Sequence, residues 1–120
     1  MARHNELGRT GEAIAADYLE KKGFEILERN WVNKRKELDL IAMHNDYLVI
    51  IEVKTRTTDG WEHPKEAITK TKINAIVDAT EAYIYQTNTL NEVRFDVVTL
   101  IPKGDDWIIE HIEEAFHPGL

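Results

Sequence analysis

The stretch Glu37 to Arg56, ELDLIAMHNDYLVIIEVKTR, decides the fold. Two runs rich in Leu, Ile and Val flank Asn45-Asp46, residue types that tolerate positive φ and so suit a two-residue hairpin turn. With strands over Glu37 to Ala42 and Tyr47 to Arg56, the register about that turn opposes Leu38 to Val53, Leu40 to Ile51 and Ala42 to Val49. One face is then wholly apolar. The other face opposes Ile41 to Ile50, Asp39 to Glu52 and Glu37 to Lys54. A slip of one residue would mix the two sets, which is an independent reason to prefer this register.

Asp39 facing Glu52 requires an explanation, because like charges directly across a sheet repel and the flanking residues are apolar enough to imply burial. Two carboxylates about 4.5 to 5.5 Å apart at Cβ suit a shared divalent cation. Hard oxygen ligands completed by water and a phosphate describe Mg²⁺, or Mn²⁺ in its place. Lys54 lies two residues beyond Glu52 on the same face, where its ammonium reaches the same spot and could orient an attacking water or stabilise developing phosphorane charge. Glu12 is a candidate for a further metal or water contact. Two competing readings need no metal: a solvated charged face, or a salt-bridge set in which Lys54 neutralises Glu37 and Arg56 helps with the other acids.

Outward from the hairpin, the chain reads as one domain over residues 1–120, its core at about 7–116. There is no internal repeat or low-complexity stretch. A first helix is expected from an N-cap at Thr10 to Lys22, stopped by Gly23, with Glu12, Ala16 and Leu19 on one stripe. Phe24 to Val32 reads as a partly exposed strand and Asn33-Lys34-Arg35 as a turn. After a polar loop from Thr57 to Glu62, a helix is expected from Pro64 to about Tyr85, with Ile73, Ile76, Val77 and Ile84 as its apolar stripe. Val93 to Ile101 is a strand, Pro102 to Asp106 a turn, and Trp107 to Ile112 a last strand. Strand, long helix, strand is a crossover unit, so the strands around Val53 and Val97 should be parallel. The element order is α-β-β-β-α-β-β.

Composition narrows the chemistry. The 120 residues contain no cysteine, which excludes disulfides, zinc-thiolate sites and thiol catalysis. The longest apolar run, Tyr47 to Ile51, is far short of the ~18 residues a membrane span needs. The opening residues Met1 to Glu6 lead into no apolar segment, so no secretory signal is expected and the location is read as cytoplasmic. The net charge of -7 argues against a nucleic-acid partner, but residues 91–120 hold seven of the 22 acids and only two of the 15 bases. The rest of the chain is closer to neutral. Asn33 to Lys36, with Lys34 and Arg35, forms with Lys65, Lys70 and Lys72 the best candidate for a phosphate-contacting surface. His44, His63, His111 and His117 share no metal-ligand spacing and read as surface or turn residues. Asp96, in a core strand, reads as a brace for a helix end or a backbone amide. Trp31 and Trp61 could stack on bases, though packing is the expected use of both.

Gly11-Glu12 with Ala16 and Tyr18-Leu19, Arg29-Asn30, Glu37 to Ala42, Glu52 to Arg56, Glu66-Ala67, Lys72 and Arg94 to Val98 together resemble the bacterial YraN-type (UPF0102) family of endonuclease-like proteins. That family resembles the PD-(D/E)xK nucleases and, among them, the archaeal Holliday-junction resolvases. The resemblance implies an α/β restriction-endonuclease-like domain, a mixed central sheet flanked by helices, that hydrolyses DNA phosphodiesters with Mg²⁺ or Mn²⁺, with branched or structured DNA as an option. It implies Asp39 and Glu52 as metal ligands, Lys54 as catalytic lysine, Glu12 as the helix acid, and Lys72 as a phosphate contact or helper of Lys54. Lys36 departs from the Gly that the family usually places before its Glu-x-Asp, and it bears on the approach to Asp39. A rival class is a catalytically inactive nuclease fold that binds nucleic acid or a protein. The oligomeric state is open between monomer and homodimer.

Overall fold

The computed structural model describes residues 3–56 and 68–118, with side chains from residue 11 onward. Its elements are α1 (Arg3–Lys21), β1 (Glu25–Asn33), β2 (Lys36–His44), β3 (Tyr47–Thr55), α2 (Lys70–Thr87), β4 (Val93–Lys103) and β5 (Asp106–Ile112). The α-β-β-β-α-β-β order and the small α/β class are as expected. Five strands form one mixed sheet in the order β1-β2-β3-β4-β5. The β3/β4 pair is parallel, as the crossover required, and the other three pairs are antiparallel. No helix among the described residues is long and apolar enough to cross a membrane.

Several boundaries differ from the sequence expectation. Helix α1 begins at Arg3 and runs through Thr10, which is therefore no N-cap. Gly8, Thr10 and Gly11 are poor helix formers, costing up to about 1 kcal/mol each relative to Ala, but none blocks a helix as proline does. The helix ends as expected: Gly23 takes φ 96°, and the amides of Gly23 and Phe24 donate to the carbonyls of Glu20 and Leu19, both at 3.0 Å. Helix α2 starts at Lys70, because Thr69 is its N-cap and accepts a hydrogen bond from the Lys72 amide. The expected start at Pro64, with Lys65, Glu66, Trp61 and His63, lies outside the described residues. The last turn is shorter than expected, since β4 continues to Lys103 and leaves Gly104-Asp105 to reverse the chain.

Alternation along the strands sends side chains into two cores, one beneath each helix. Ala15, Ala16 and Leu19 of α1 pack on Leu40, Ala42, Val49, Ile51, Val98 and Leu100. On the opposite face, Ile76, Ala79 and Tyr83 of α2 pack on Leu38, Ile41, Leu48, Ile50 and Phe95. The buried positions of α2 thus include Ala79, Thr80 and Tyr83, while Ile73, Val77 and Ile84 are only partly buried. Trp31 meets the Tyr83 ring edge to face, with centroids 5.2 Å apart, so packing is its use. Gly11 lets α1 approach the end of β3: a Cβ there would collide with Thr55 Oγ1 and lie 3.2 Å from Leu100 Cδ1.

Beneath the C-terminal end of α1, Asp96 is fully buried. It accepts hydrogen bonds from Arg94 Nε at 2.9 Å, Arg94 NH2 at 3.0 Å and the Glu114 amide at 3.2 Å, and its Oδ2 lies 2.8 Å from His111 Nε2. The brace expected of Asp96 is thus present, but His111 is not a surface residue; its side chain is 2% exposed. Lys22 Nζ, which can only donate, lies 2.8 Å from His111 Nδ1. That assigns the ring proton to Nε2, donating to Asp96. His44 is half-buried and stacks on Phe24 with centroids 3.9 Å apart. Periodicity could not reveal either histidine, because both are recruited by contacts distant in sequence.

Burial alone would raise the Asp96 pKa, but the hydrogen bonds from His111 and Arg94 pull it below the ordinary value. A carboxylate with a depressed folded pKa adds stability above its unfolded pKa and loses it as pH falls through the folded one. Asp96→Asn should therefore cost about 3 to 5 kcal/mol near neutral pH, by leaving Arg94 without its buried partner, and should flatten the acid limb of stability against pH in urea melts. Gly11→Ala should cost about 1 to 3 kcal/mol by overpacking, read as a lower midpoint at unchanged slope.

Candidate metal and phosphate site

The hairpin turn is as expected. Asn45 and Asp46 both take positive φ, 48° and 68°, and the ladder pairs His44 with Tyr47, Met43 with Leu48, Ala42 with Val49, Ile41 with Ile50 and Leu40 with Ile51. There the β2/β3 pairing stops. The expected pairs Asp39/Glu52, Leu38/Val53 and Glu37/Lys54 do not form as ladder pairs. Among the described residues, Asp39 is the one position of β2 with a ladder partner on neither side, since β1 pairs Arg29 with Leu40 and Trp31 with Leu38 but skips the pair between them.

In a continued ladder the hydrogen-bonded pairs would alternate from the turn, and the Val53 amide would donate to the Leu38 carbonyl. It donates instead to Asp39 Oδ2, at 2.8 Å. A side-chain carboxylate has taken the place of a backbone acceptor. The strands open at Asp39, and Leu38 joins the α2-side core while Leu40 and Ala42 lie in the α1-side core. The single apolar face through Leu38, Leu40 and Ala42 is corrected accordingly.

The opening gathers acids from three elements. Carboxylate oxygens of Glu12 on α1 and of Glu37 and Asp39 on β2 lie within 4.8 Å of one another. Glu52 of β3 is 7% exposed, and the charge of Asp39 acts on its carboxyl. Asp39 and Glu52 thus influence one another across a splayed junction rather than as a ladder pair, and Glu52 lies outside the cluster of Glu12, Glu37 and Asp39. Glu37 was expected to face Lys54; the break turns it toward Glu12 instead. Its place in the Glu-x-Asp pair is the one sequence signal that could have marked it.

Burial is the main reason the Glu52 pKa is pushed up to about 8, followed by the charge of Asp39; Lys72 and Lys54 oppose the shift. Glu12 is raised for similar causes, burial first and Asp39 second, and the Asn30 side chain acts to hold it down. Lys72, anchored through the Thr69 cap, brings Nζ to 3.5 Å from Glu52 Oε1. Lys54 is half-buried and acts on Glu52 through space.

A cleft of about 290 Å³ opens here, lined by Arg35, Lys36, Glu37, Asp39, Lys72, Ala75 and Ile76. Arg35 and Lys72 of the expected phosphate surface face this cleft, whereas Lys34, at φ 59° in the turn, is exposed outside its lining. Lys36 pairs with Asp78 of α2 at 2.7 Å, so it leans onto the helix that forms the cleft wall.

Fold and site together define a small α/β domain with a five-stranded mixed sheet and an acid-rich cleft flanked by lysines. The model of "Uncharacterised protein family UPF0102" matches residues 11–100. A UPF0102 protein of Phocaeicola vulgatus is 46% identical over 120 residues, covering 100% of this chain and 99% of its own. One from Flavobacterium johnsoniae is 43% identical over 121 residues, covering 98% of each, and one from Bacteroides thetaiotaomicron is 44% identical over 120 residues, covering 100% and 99%. The chain belongs to UPF0102, the YraN-type family.

A carboxyl group whose folded pKa is raised stabilises the fold most below its unfolded pKa, and that contribution is lost as pH rises through the folded value. For Glu52 the window runs from the ordinary 4.5 to about 8. With divalent cations chelated, Glu52→Gln should melt above the parent at pH 8.5, and the gap should close toward pH 5.

Proposed function

We propose that this chain is a divalent-metal-dependent endonuclease that hydrolyses a DNA phosphodiester, with branched or structured DNA as one option for its substrate. The observation that carries the reading is Asp39: it has left the ladder, so its carboxylate gathers with those of Glu12 and Glu37, acts on that of Glu52, and lines with Glu37 a cleft that Arg35, Lys36 and Lys72 share. The donor set suits Mg²⁺ or Mn²⁺, being all carboxylate oxygen with room for water. Asp39 and Glu52 would hold the ion, with Glu12 and Glu37 beside it. When bound, the ion supplies Lewis-acid stabilisation of the charge that develops on the phosphoryl oxygens.

The chain's own groups divide the remaining work. Lys54 positions or deprotonates the attacking water, which enters in line with the leaving oxygen. Lys72, whose Nζ lies 3.5 Å from Glu52 Oε1, would offer its ammonium to the phosphate. Arg35 and Lys36 hold the flanking backbone, with Lys34 at the margin. Two acids held close in a half-dry site are costly to the metal-free fold, and that cost makes a cation a strong stabilising ligand. The net charge of -7 favours the second reading, a nuclease fold that binds nucleic acid or a protein without cutting.

On protein freed of contaminating nucleases, Asp39→Ala, Glu52→Ala and Lys54→Ala should each lower cleavage of a panel of duplex, flap, single-stranded and four-way DNA by roughly a hundredfold or more in Mg²⁺ or Mn²⁺. Millimolar Mn²⁺ should raise the melting temperature of the parent but not of Asp39→Asn. Cleavage that survives in Glu52→Ala, or a parent whose melting ignores the metal, sinks the nuclease and moves the binding module ahead.

A further inference from the structure

Asn30 lies in the middle of β1, yet its φ is 52°. A non-glycine residue in the left-handed region is uncommon, and within a strand it turns the chain out of its pleat; Asn is among the few types that accept it at low cost. The position coincides with the opening at the site. In the β1/β2 register, Arg29/Leu40 and Trp31/Leu38 bracket Asn30 and Asp39, and that intervening pair is missing. The face assignment changes at the same point, since Leu40 lies in the α1-side core while Leu38 and its partner Trp31 lie in the α2-side core. Strict alternation would have kept Leu38 with Leu40. Glu12 of α1 is within reach of the same point, its carboxylate oxygen lying within 4.8 Å of that of Asp39, and the Asn30 side chain acts to hold its pKa down.

From these coincident features we infer that Asn30 is a positioning residue, which assembles the acid cluster in two ways. Its left-handed backbone releases Asp39 from the ladder, so that the carboxylate, rather than the Leu38 carbonyl, receives the Val53 amide. Its amide fixes the Glu12 carboxylate against that of Asp39, where two acids would otherwise move apart. A regular β1 would pair residue 30 with Asp39, draw Asp39 into line with Glu52 and leave Glu12 with no donor from the sheet. The cation part of this inference rests on the proposed function; the backbone part does not.

Two variants separate the roles. Asn30→Gly keeps the left-handed backbone without strain and removes the amide, whereas Asn30→Val disfavours the left-handed backbone and favours a straight strand. In a closed ladder Asp39 and Glu52 would form a pair without mutual hydrogen bonds, whose α-protons come close enough for a strong nuclear Overhauser effect. That contact should be weak in the parent and in Asn30→Gly and strong in Asn30→Val. Mn²⁺ affinity, measured by calorimetry with the metal alone, should fall roughly 10- to 100-fold in Asn30→Gly, the range for losing a group that orients a metal ligand. A weak contact together with parent affinity in Asn30→Val overturns the inference. If Asn30→Val does not fold, Asn30→Gly decides: parent Mn²⁺ affinity overturns the role of the amide, and a strong α-proton contact overturns that of the backbone. If the parent itself binds no Mn²⁺, the proposed function falls. The inference is then judged on the α-proton contacts: a strong Asp39–Glu52 contact in Asn30→Gly, or a weak one in a folded Asn30→Val, overturns it.

Discussion

The hydrogen bond from the Val53 amide to Asp39 Oδ2, 2.8 Å long, is the constraint from which the site follows. A buried amide must be paired somewhere. Here a carboxylate serves in place of a carbonyl, so the sheet opens between β2 and β3 without leaving that donor unsatisfied. The opening admits the acid of α1 and exposes a cleft against α2. It also brings Glu52 next to a second acid while keeping it 7% exposed, which is why its carboxyl resists ionisation. The strain of the site is electrostatic, and the lysines of β3 and α2 relieve it only partly.

The two helices take up opposite sides of this opening for different reasons. Helix α1 reaches it because Gly11 carries no Cβ to collide with Thr55, and this close approach brings Glu12 over β2. Helix α2 reaches it through its cap: Thr69 fixes the first turn, and Lys72 in that turn meets Glu52. A shift of either helix would change the charge balance of the cleft without altering a single strand. Lys36, by pairing with Asp78, adds a link between β2 and the flank of α2.

Beneath the other end of α1, a second set of buried charges has the opposite character. Asp96 is encircled by donors and its pKa is lowered, whereas Glu52 lies among acids and its pKa is raised. Both carboxylates are removed from water, so the difference lies in their partners alone. The satisfied cluster joins Lys22, β4 and β5 and ties the C-terminal strands to the first helix. The unsatisfied one is where chemistry has a driving force, because a cation gains what the fold lacks.

The sequence by itself determined the hairpin turn at Asn45-Asp46, the register from that turn to Leu40/Ile51, the parallel β3/β4 crossover and the element order. Each rests on a short-range signal: turn residues that accept positive φ, alternation of apolar side chains, and the length of a connection. Spacing singled out Asp39, Glu52 and Lys54, with Glu12 as a further candidate, while their roles and that of Lys72 were implied by the resemblance. What only the tertiary structure decided is how they meet. The ladder breaks at Asp39, Glu37 turns to Glu12 rather than Lys54, α1 extends through Thr10, and His111 is buried against Asp96. Alternation assumes a regular pleat, and it has no means of registering a left-handed Asn30 or a side chain that replaces a carbonyl. Those choices are made by groups far apart in the chain, whose pairing becomes favourable only once the helices have packed and water has left.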